Sequence, residues 1–146
     1  MFTHLWCSYQ DGKDDIAAVR TAVFAVEQGF TQAQIFVPAE DDKALQLVIY
    51  DGETPVGCGR LLPLTQKNAY KAGRIAVLKA YRGQRLGRRI VALLCEKAEA
   101  LRAETVYISA QTHAVAFYEN CGFRQCAPPH IENGAPHVMM VQHFEK

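Results

Sequence analysis

At 146 residues the chain has the length of one ordinary domain, enough to bury roughly two-thirds of its unfolded surface. With 49% apolar and 21% charged residues it has a globular rather than a disordered profile, and no apolar run approaches the roughly 20 residues that cross a bilayer. The net charge of +1 hides an asymmetry: residues 1–53 hold three basic and nine acidic side chains, residues 54–95 hold nine basic and no acidic ones, and residues 96–146 hold four basic and six acidic.

Residues 3–9 read as a strand that the turn-forming pair Asp11-Gly12 ends. From Asp14 to Gln28, Ile16, Val19, Val23 and Val26 recur at spacings of three and four, which predicts a helix with these residues on one face. Asp14 and Asp15 suit its start and Gly29 its exit. Residues 44–50 and 56–64 form the arms of a predicted hairpin around Asp51-Gly52. Residues 71–78 are a further strand, and the most regular helix follows, beginning near Gln84 or Arg85. Its stripe is Leu86, Ile90, Leu93, Leu94, Ala98 and Leu101. Residues 106–110 are a short strand, and Thr112 is placed to cap a helix that runs to Asn120 and ends at Gly122. Residues 123–127 and 137–144 close the chain as antiparallel strands around the polar turn Glu132-Asn133-Gly134. With no repeat or linker, the expectation is a single domain over residues 1–146, an α/β (α+β) fold with a mostly antiparallel sheet of six to seven strands and helices on both faces.

The five cysteines are scattered, with no C-x-x-C spacing and no His-rich partner segment, so no metal is expected. Thiols used as small apolar groups and a start without a basic stretch before an apolar run point to the cytoplasm. The central basic block calls for an anion, supplied either by a ligand or by the acidic flanks folding against it. Nucleic acid is a poor candidate, because the aromatics of that block are only Tyr70 and Tyr81.

The strand-to-helix junction Val77-Leu78-Lys79-Ala80-Tyr81-Arg82-Gly83-Gln84-Arg85-Leu86-Gly87-Arg88 carries the most information. The first turn of a helix leaves backbone N–H groups unpaired, and their dipoles make it a phosphate site. Gly83 lets the chain bend, Gly87 removes a Cβ from the approach, and Arg82, Arg85 and Arg88 add charge. No Gly-Lys-Ser/Thr follows, and G-x-G-x-x-G is absent, so neither a nucleoside-triphosphate loop nor a dinucleotide fold is indicated.

The run from Arg82 to Gly87 resembles the Q/R-x-x-G-x-G/A signature of the GNAT superfamily of acyl-CoA N-acyltransferases, with Arg85 where that signature usually has glycine. Residues 114–123 (AVAFYENCGF) resemble the A-x-x-F/L-Y-E-x-x-G-F segment of the same family. Residues 20–28 and 136–140 are similar to segments of its ElaA-like subgroup. The resemblance implies transfer of an acetyl group from acetyl-CoA, the co-substrate, to an unidentified primary amine by direct attack in a ternary complex. The alternative is a non-catalytic CoA-binding sensor or interaction module. It further implies that Arg82, Gly83, Gln84, Arg85, Leu86, Gly87 and Arg88 hold the CoA diphosphate, with the pantetheine arm pairing along Ile75, Ala76 and Val77. Gln111 stands where an Asn is common, either as a cofactor contact or as a loop amide. Tyr118 is the implied proton donor to the departing thiolate, unless it is a core aromatic with its hydroxyl satisfied by backbone.

The base is left open between Glu27, His137 and a water relay, since no Asp or Glu lies between Thr54 and Cys95. An imidazole exchanges protons near neutrality, whereas Glu27 would need burial to raise its pKa. Acids near Glu27 and at Glu40-Asp41-Asp42 are compatible with a cationic acceptor. His113 reads as surface and Cys121 as packing. No membrane is expected as a partner, and the protein is expected to be a monomer or homodimer.

Overall fold

A computed structural model describes residues 1–144. Strand β1 (Phe2–Cys7) ends at Ser8, whose hydroxyl accepts the Asp11 N–H at 3.2 Å and caps helix α1 (Tyr9–Arg20). The expected Asp11-Gly12 turn is therefore the first turn of a helix. Gly12 is there for packing: a Cβ on it would lie 2.6 Å from Cys7 Sγ. The helix thus starts five residues before Asp14, and from Thr21 to Glu27 it widens into a π-helical turn. The extra residue per turn shifts the phase of the face. Ile16, Val19 and Val23 stay buried, whereas Val26, expected on the same face, is 78% exposed. Gly29 (φ 79°) ends the turn as expected, with the Phe30 N–H donating back to the Phe24 carbonyl.

Two short helices follow, α2 (Gln32–Ile35) and α3 (Pro38–Asp41), then the hairpin of β2 (Leu45–Asp51) and β3 (Thr54–Pro63). β4 (Ala69–Val77) leads through the glycine-containing loop into α4 (Leu86–Ala100). That helix is the crossover to the parallel strand β5 (Thr105–Gln111). Helix α5 (Val115–Asn120) is preceded by a 3-10 turn, and Thr112 makes no capping hydrogen bond, contrary to expectation. β6 (Arg124–Gln125), β7 (His130–Glu132) and β8 (Ala135–His143) complete an eight-stranded sheet in the order β1-β2-β3-β4-β5-β8-β6, with β7 also on β8. The mixed, mostly antiparallel fold is as expected. The extra strand arises because Asn133 (φ 52°) and Gly134 (φ 78°) form a two-residue turn that folds β7 back onto β8.

Helices cover both faces. Cys58 and Ala76 face Val19 of α1 and Val23 of the π-helical turn. On the other face, a Cβ at Gly59 would lie 3.0 Å from Ile90 and 3.2 Å from Leu94, so glycine admits α4 close to the sheet. Ile90 and Leu94 are fully buried, each contributing about 1.5–3 kcal/mol of apolar burial. Leu94→Ala would remove most of this and leave a cavity, at a cost of about 2–5 kcal/mol.

Two irregularities open the sheet at its centre. β4 and β5 pair only from Ala69 opposite Thr105 to Ala72 opposite Ile108. Beyond this point β4 stays with β3 as far as Val77 and β5 stays with β8 as far as Gln111, so the strands splay apart. β4 also carries a bulge: Cys58 opposes Ala76 while Arg60 opposes Gly73, leaving one extra residue on β4. Arg74 sits there in the left-handed region at φ 49°.

Candidate active site

The junction before α4 has the form that phosphate binding requires. Gly83 (φ 87°) and Arg85 (φ 63°) both adopt left-handed backbone, and Arg85 is the N-cap, so helix α4 begins at Leu86 rather than at Gln84 or Arg85. The Arg89 N–H closes the first helical bond on the Arg85 carbonyl at 3.0 Å. Among the described residues no backbone carbonyl accepts from the N–H groups of residues 83–88, which leaves a row of donors at the positive end of a 15-residue helix. A Cβ on Gly87 would meet the Phe117 ring at 3.4 Å, an ordinary contact, so packing alone does not require glycine there.

From this turn a cavity of about 730 Å³ runs into the splay between β4 and β5, reaching Ile75, Ala76 and Val77 on one side and Gln111, His113 and Tyr118 on the other. His113, expected at the surface, is exposed yet lies on this wall. The Leu78 N–H donates to Val56 across β3 at 2.9 Å. By the two-residue alternation of an antiparallel ladder Ala76 also faces β3, and the Val77 N–H turns into the splay. Tyr118 packs edge-on against Phe117 and Phe123, at ring distances of 5.1 and 6.2 Å. Among the described residues none hydrogen-bonds its hydroxyl, and burial, with a smaller contribution from Cys121, pushes its pKa up to about 12. It is a protonated phenol with its donor unspent. Cys121 packs against the core beside it.

The far end of the cavity gathers residues that the sequence left unconnected. His137 lies opposite both His130 of β7 and Gln111 of β5. Ser109 is two residues from Gln111 and Glu132 two from His130, so all five side chains share one sheet face. Glu132 Oε1 accepts the Ser109 hydroxyl at 2.8 Å and lies 3.2 Å from His130 Nε2. Burial pushes the Glu132 carboxyl up, but Ser109, His130, Lys71 and His137 together bring it below its ordinary value. His137 is 6% exposed, and its Nδ1 lies 2.9 Å from the Ala135 carbonyl. A carbonyl can only accept, so Nδ1 carries a proton in that contact and Nε2 is the nitrogen left to exchange one. Sequence reasoning missed Glu132 by assigning it to a turn. The pair Asn133-Gly134, read as a two-residue hairpin, would have placed Glu132 on a strand and onto the face of His137.

Glu27 does not meet the condition set for it as a base. It is not buried into a raised pKa. Its carboxylate takes both terminal nitrogens of Arg82 at 2.8 Å, and this hydrogen bonding holds its pKa below the ordinary value. Arg82 Nε also donates to the Val77 carbonyl at 3.0 Å, so Glu27 holds the arginine that ties the turn before α4 to the end of β4. Gln111 donates to Gln28 at 2.9 Å, bridging the exit of the π-helical turn to the end of β5. The acids expected to meet a cationic acceptor are also occupied. Asp41 binds Arg20 in a bidentate pair and Arg60 Nη1, while Glu40 binds Arg60 Nη2. Among the described residues no group of three or more His, Cys, Asp or Glu side chains is placed to hold a metal ion, and no helix is long and apolar enough to cross a membrane.

A model of the acetyltransferase (GNAT) domain family matches residues 14–144. The chain belongs to the GNAT family. An uncharacterized N-acetyltransferase of Bacillus subtilis, YjcF, is 35% identical over 136 residues, covering 88% of this chain and 90% of the relative. Escherichia coli ElaA is 26% identical over 126 residues, covering 85% of this chain and 82% of the relative. Its crystal structure matches with a TM-score of 0.85 over 98% of this chain and 100% of the other. The crystal structure of an acyl-CoA N-acyltransferase from Pseudomonas aeruginosa matches with a TM-score of 0.83 at 26% identity, covering 97% and 99% of the two chains. This GNAT protein, which has ElaA among its relatives, is itself an acyl-CoA-dependent N-acyltransferase.

Proposed function

We propose that the protein transfers the acetyl group of acetyl-CoA to a primary amine by direct attack in a ternary complex. The observation that carries this is the continuity of the cavity. Unpaired backbone donors at residues 83–88 lead along the splayed edge of β4 to an unpartnered phenol, Tyr118. The row of N–H groups suits a diphosphate, and the splayed strand edge suits an amide-rich arm that pairs like an added strand.

The chemistry then assigns roles. The Val77 N–H faces the splay, where it stabilises negative charge developing on the thioester oxygen. An acceptor ammonium loses one proton to His137 Nε2, and the free amine attacks the carbonyl carbon. The N–C bond forms and the C–S bond breaks. The thiolate takes the proton of Tyr118, which regains one through water from the acylated nitrogen. Glu27 acts as a positioning residue through Arg82. Five free cysteines support a cytoplasmic setting, and we place the protein there as a monomer or homodimer.

The test is thiol release from acetyl-CoA over a panel of amines, with CoA affinity measured in parallel. Tyr118→Phe is expected to lower kcat by about 10²- to 10⁴-fold, the range of general acid catalysis, with CoA affinity kept. Tight CoA binding without turnover of any amine would instead identify a binding module.

A further inference from the structure

Building on the acyl-transfer reading, we propose that the acceptor is a small amine that carries a carboxylate, an amino-acid-like zwitterion rather than a polyamine. The argument is a balance of charge at the acceptor end of the cavity. Glu40 and Asp41 are consumed by Arg20 and Arg60. Arg74 lies in the same neighbourhood, but its partners are neutral: Nε donates to the Ile35 carbonyl at 2.9 Å and Nη2 to the Gln34 carbonyl at 3.0 Å. Three arginines against two acids leave one positive charge there. Lys71 and Glu132 also line the cavity and cancel each other in the count. Among the described residues Lys71 has no ion pair within 4.0 Å, and Glu132 Oε2 accepts no hydrogen bond. The acceptor end therefore presents a free carboxylate oxygen for an ammonium and an unbalanced guanidinium with a lysine for an anion.

CoA does not supply that anion. Lys71 is six residues before Val77, about 20 Å along an extended strand, whereas the phosphate donors at residues 83–88 lie beyond Val77. The anion belongs to the acceptor. Its carboxylate sits between Arg74 and Lys71, its ammonium on Glu132 Oε2, and the proton leaves to His137 Nε2. A polyamine would add positive charge to an end that already has an excess.

The experiment compares matched pairs of acceptors, each an amino acid and its carboxamide, by thiol release from acetyl-CoA. The expected result is a preference of at least about tenfold in kcat/KM for the carboxylate member, the scale of one charge-assisted contact. Lys71→Gln and Arg74→Gln should each drive the ratio within a pair towards one, with the change in KM rather than kcat. Ratios near one in the unmodified protein, or a preference for carboxamides, polyamines or peptide N-termini, would overturn the proposal. If no amine is acetylated, acyl transfer to amines fails separately. Calorimetric titration of the same pairs into the CoA-loaded protein then decides the charge argument: preferential binding of the carboxylate member sustains it, and equal or absent binding refutes it.

Discussion

Arg85→Gly probes the phosphate turn in two independent ways. Arg85 is a non-glycine residue at φ 63°, in a position where the chain must turn left-handed to start α4. Left-handed backbone costs an L-residue with a Cβ about 1–2 kcal/mol, and glycine avoids this. Glycine in turn loses about 0.5–1 kcal/mol more conformational freedom on folding. The difference leaves Arg85→Gly more stable by roughly 0.5–1 kcal/mol, or about 2–4 °C in Tm for a chain of this size. The side chain is exposed and makes no ion pair among the described residues, so its loss removes one screened charge, about two- to fivefold in Kd for CoA. The six backbone donors remain. Thermal melts and calorimetric titration with CoA at fixed salt measure both quantities. Arg85→Ala separates them, because it removes the charge but keeps the strained φ, and should show the affinity change without the gain in Tm. A fall in Tm for the glycine variant would refute the strain argument. A loss of affinity beyond about thirtyfold, roughly 2 kcal/mol, would show that the side chain rather than the backbone holds the phosphate.

Asp41→Asn leaves Arg20 and Arg60 buried with an uncompensated charge and should destabilise the protein by about 3–5 kcal/mol, read as a cooperative melt shifted down by roughly 10 °C or more. Burial raises the Asp41 carboxyl, but the hydrogen bonds and charges of Arg20 and Arg60 bring it below its ordinary value. Its contribution is thus fully present above the unfolded carboxylate pKa and is lost only as pH falls through the lower folded value, so melts from pH 5 to 8 should show no step from this group. Tyr118, pushed up to about 12, should leave no alkaline decline in kcat below about pH 10, measured with acetyl-CoA and amine saturating. Glu27→Gln should preserve the acid limb of the pH–rate profile while weakening the hold on Arg82, whereas His137→Gln should abolish that limb. The reverse pattern would restore Glu27 as the base.

Periodicity made the core helix and the central strands legible, because Leu86, Ile90, Leu94 and Ala98 keep one phase through to a buried face. It misplaced Val26, because a π-helical turn changes the phase without changing composition. Turn chemistry identified the exit at Gly29 but misread Asp11-Gly12, where the glycine answers to Cys7 across the helix–strand contact rather than to local backbone. The turn before α4 was readable as a row of unpaired donors because its features are local: adjacent N–H groups, two glycines and a following helix. The cluster proposed to receive the acceptor was not. Glu132, Ser109 and His137 meet only through the register of β5, β7 and β8, and register is a long-range property.

The basic block between residues 54 and 95 left two readings open, a bound anion or the acidic flanks. The structure divides the cations between them. Arg60 and Arg82 are answered by Glu40, Asp41 and Glu27 of the N-terminal segment, and Arg82 is also bonded to the end of β4. Arg85 and Arg88 stand at the phosphate end without ion pairs among the described residues, and Lys71 and Arg74 stand likewise at the other end of the same cavity. A chain folding only to neutralise itself would have no reason to leave these four cations at the two ends of one cavity while gathering Glu27, Glu40 and Asp41 on Arg20, Arg60 and Arg82. On the proposed reading each end awaits a separate anion, one carried by the acyl donor and one by the acceptor.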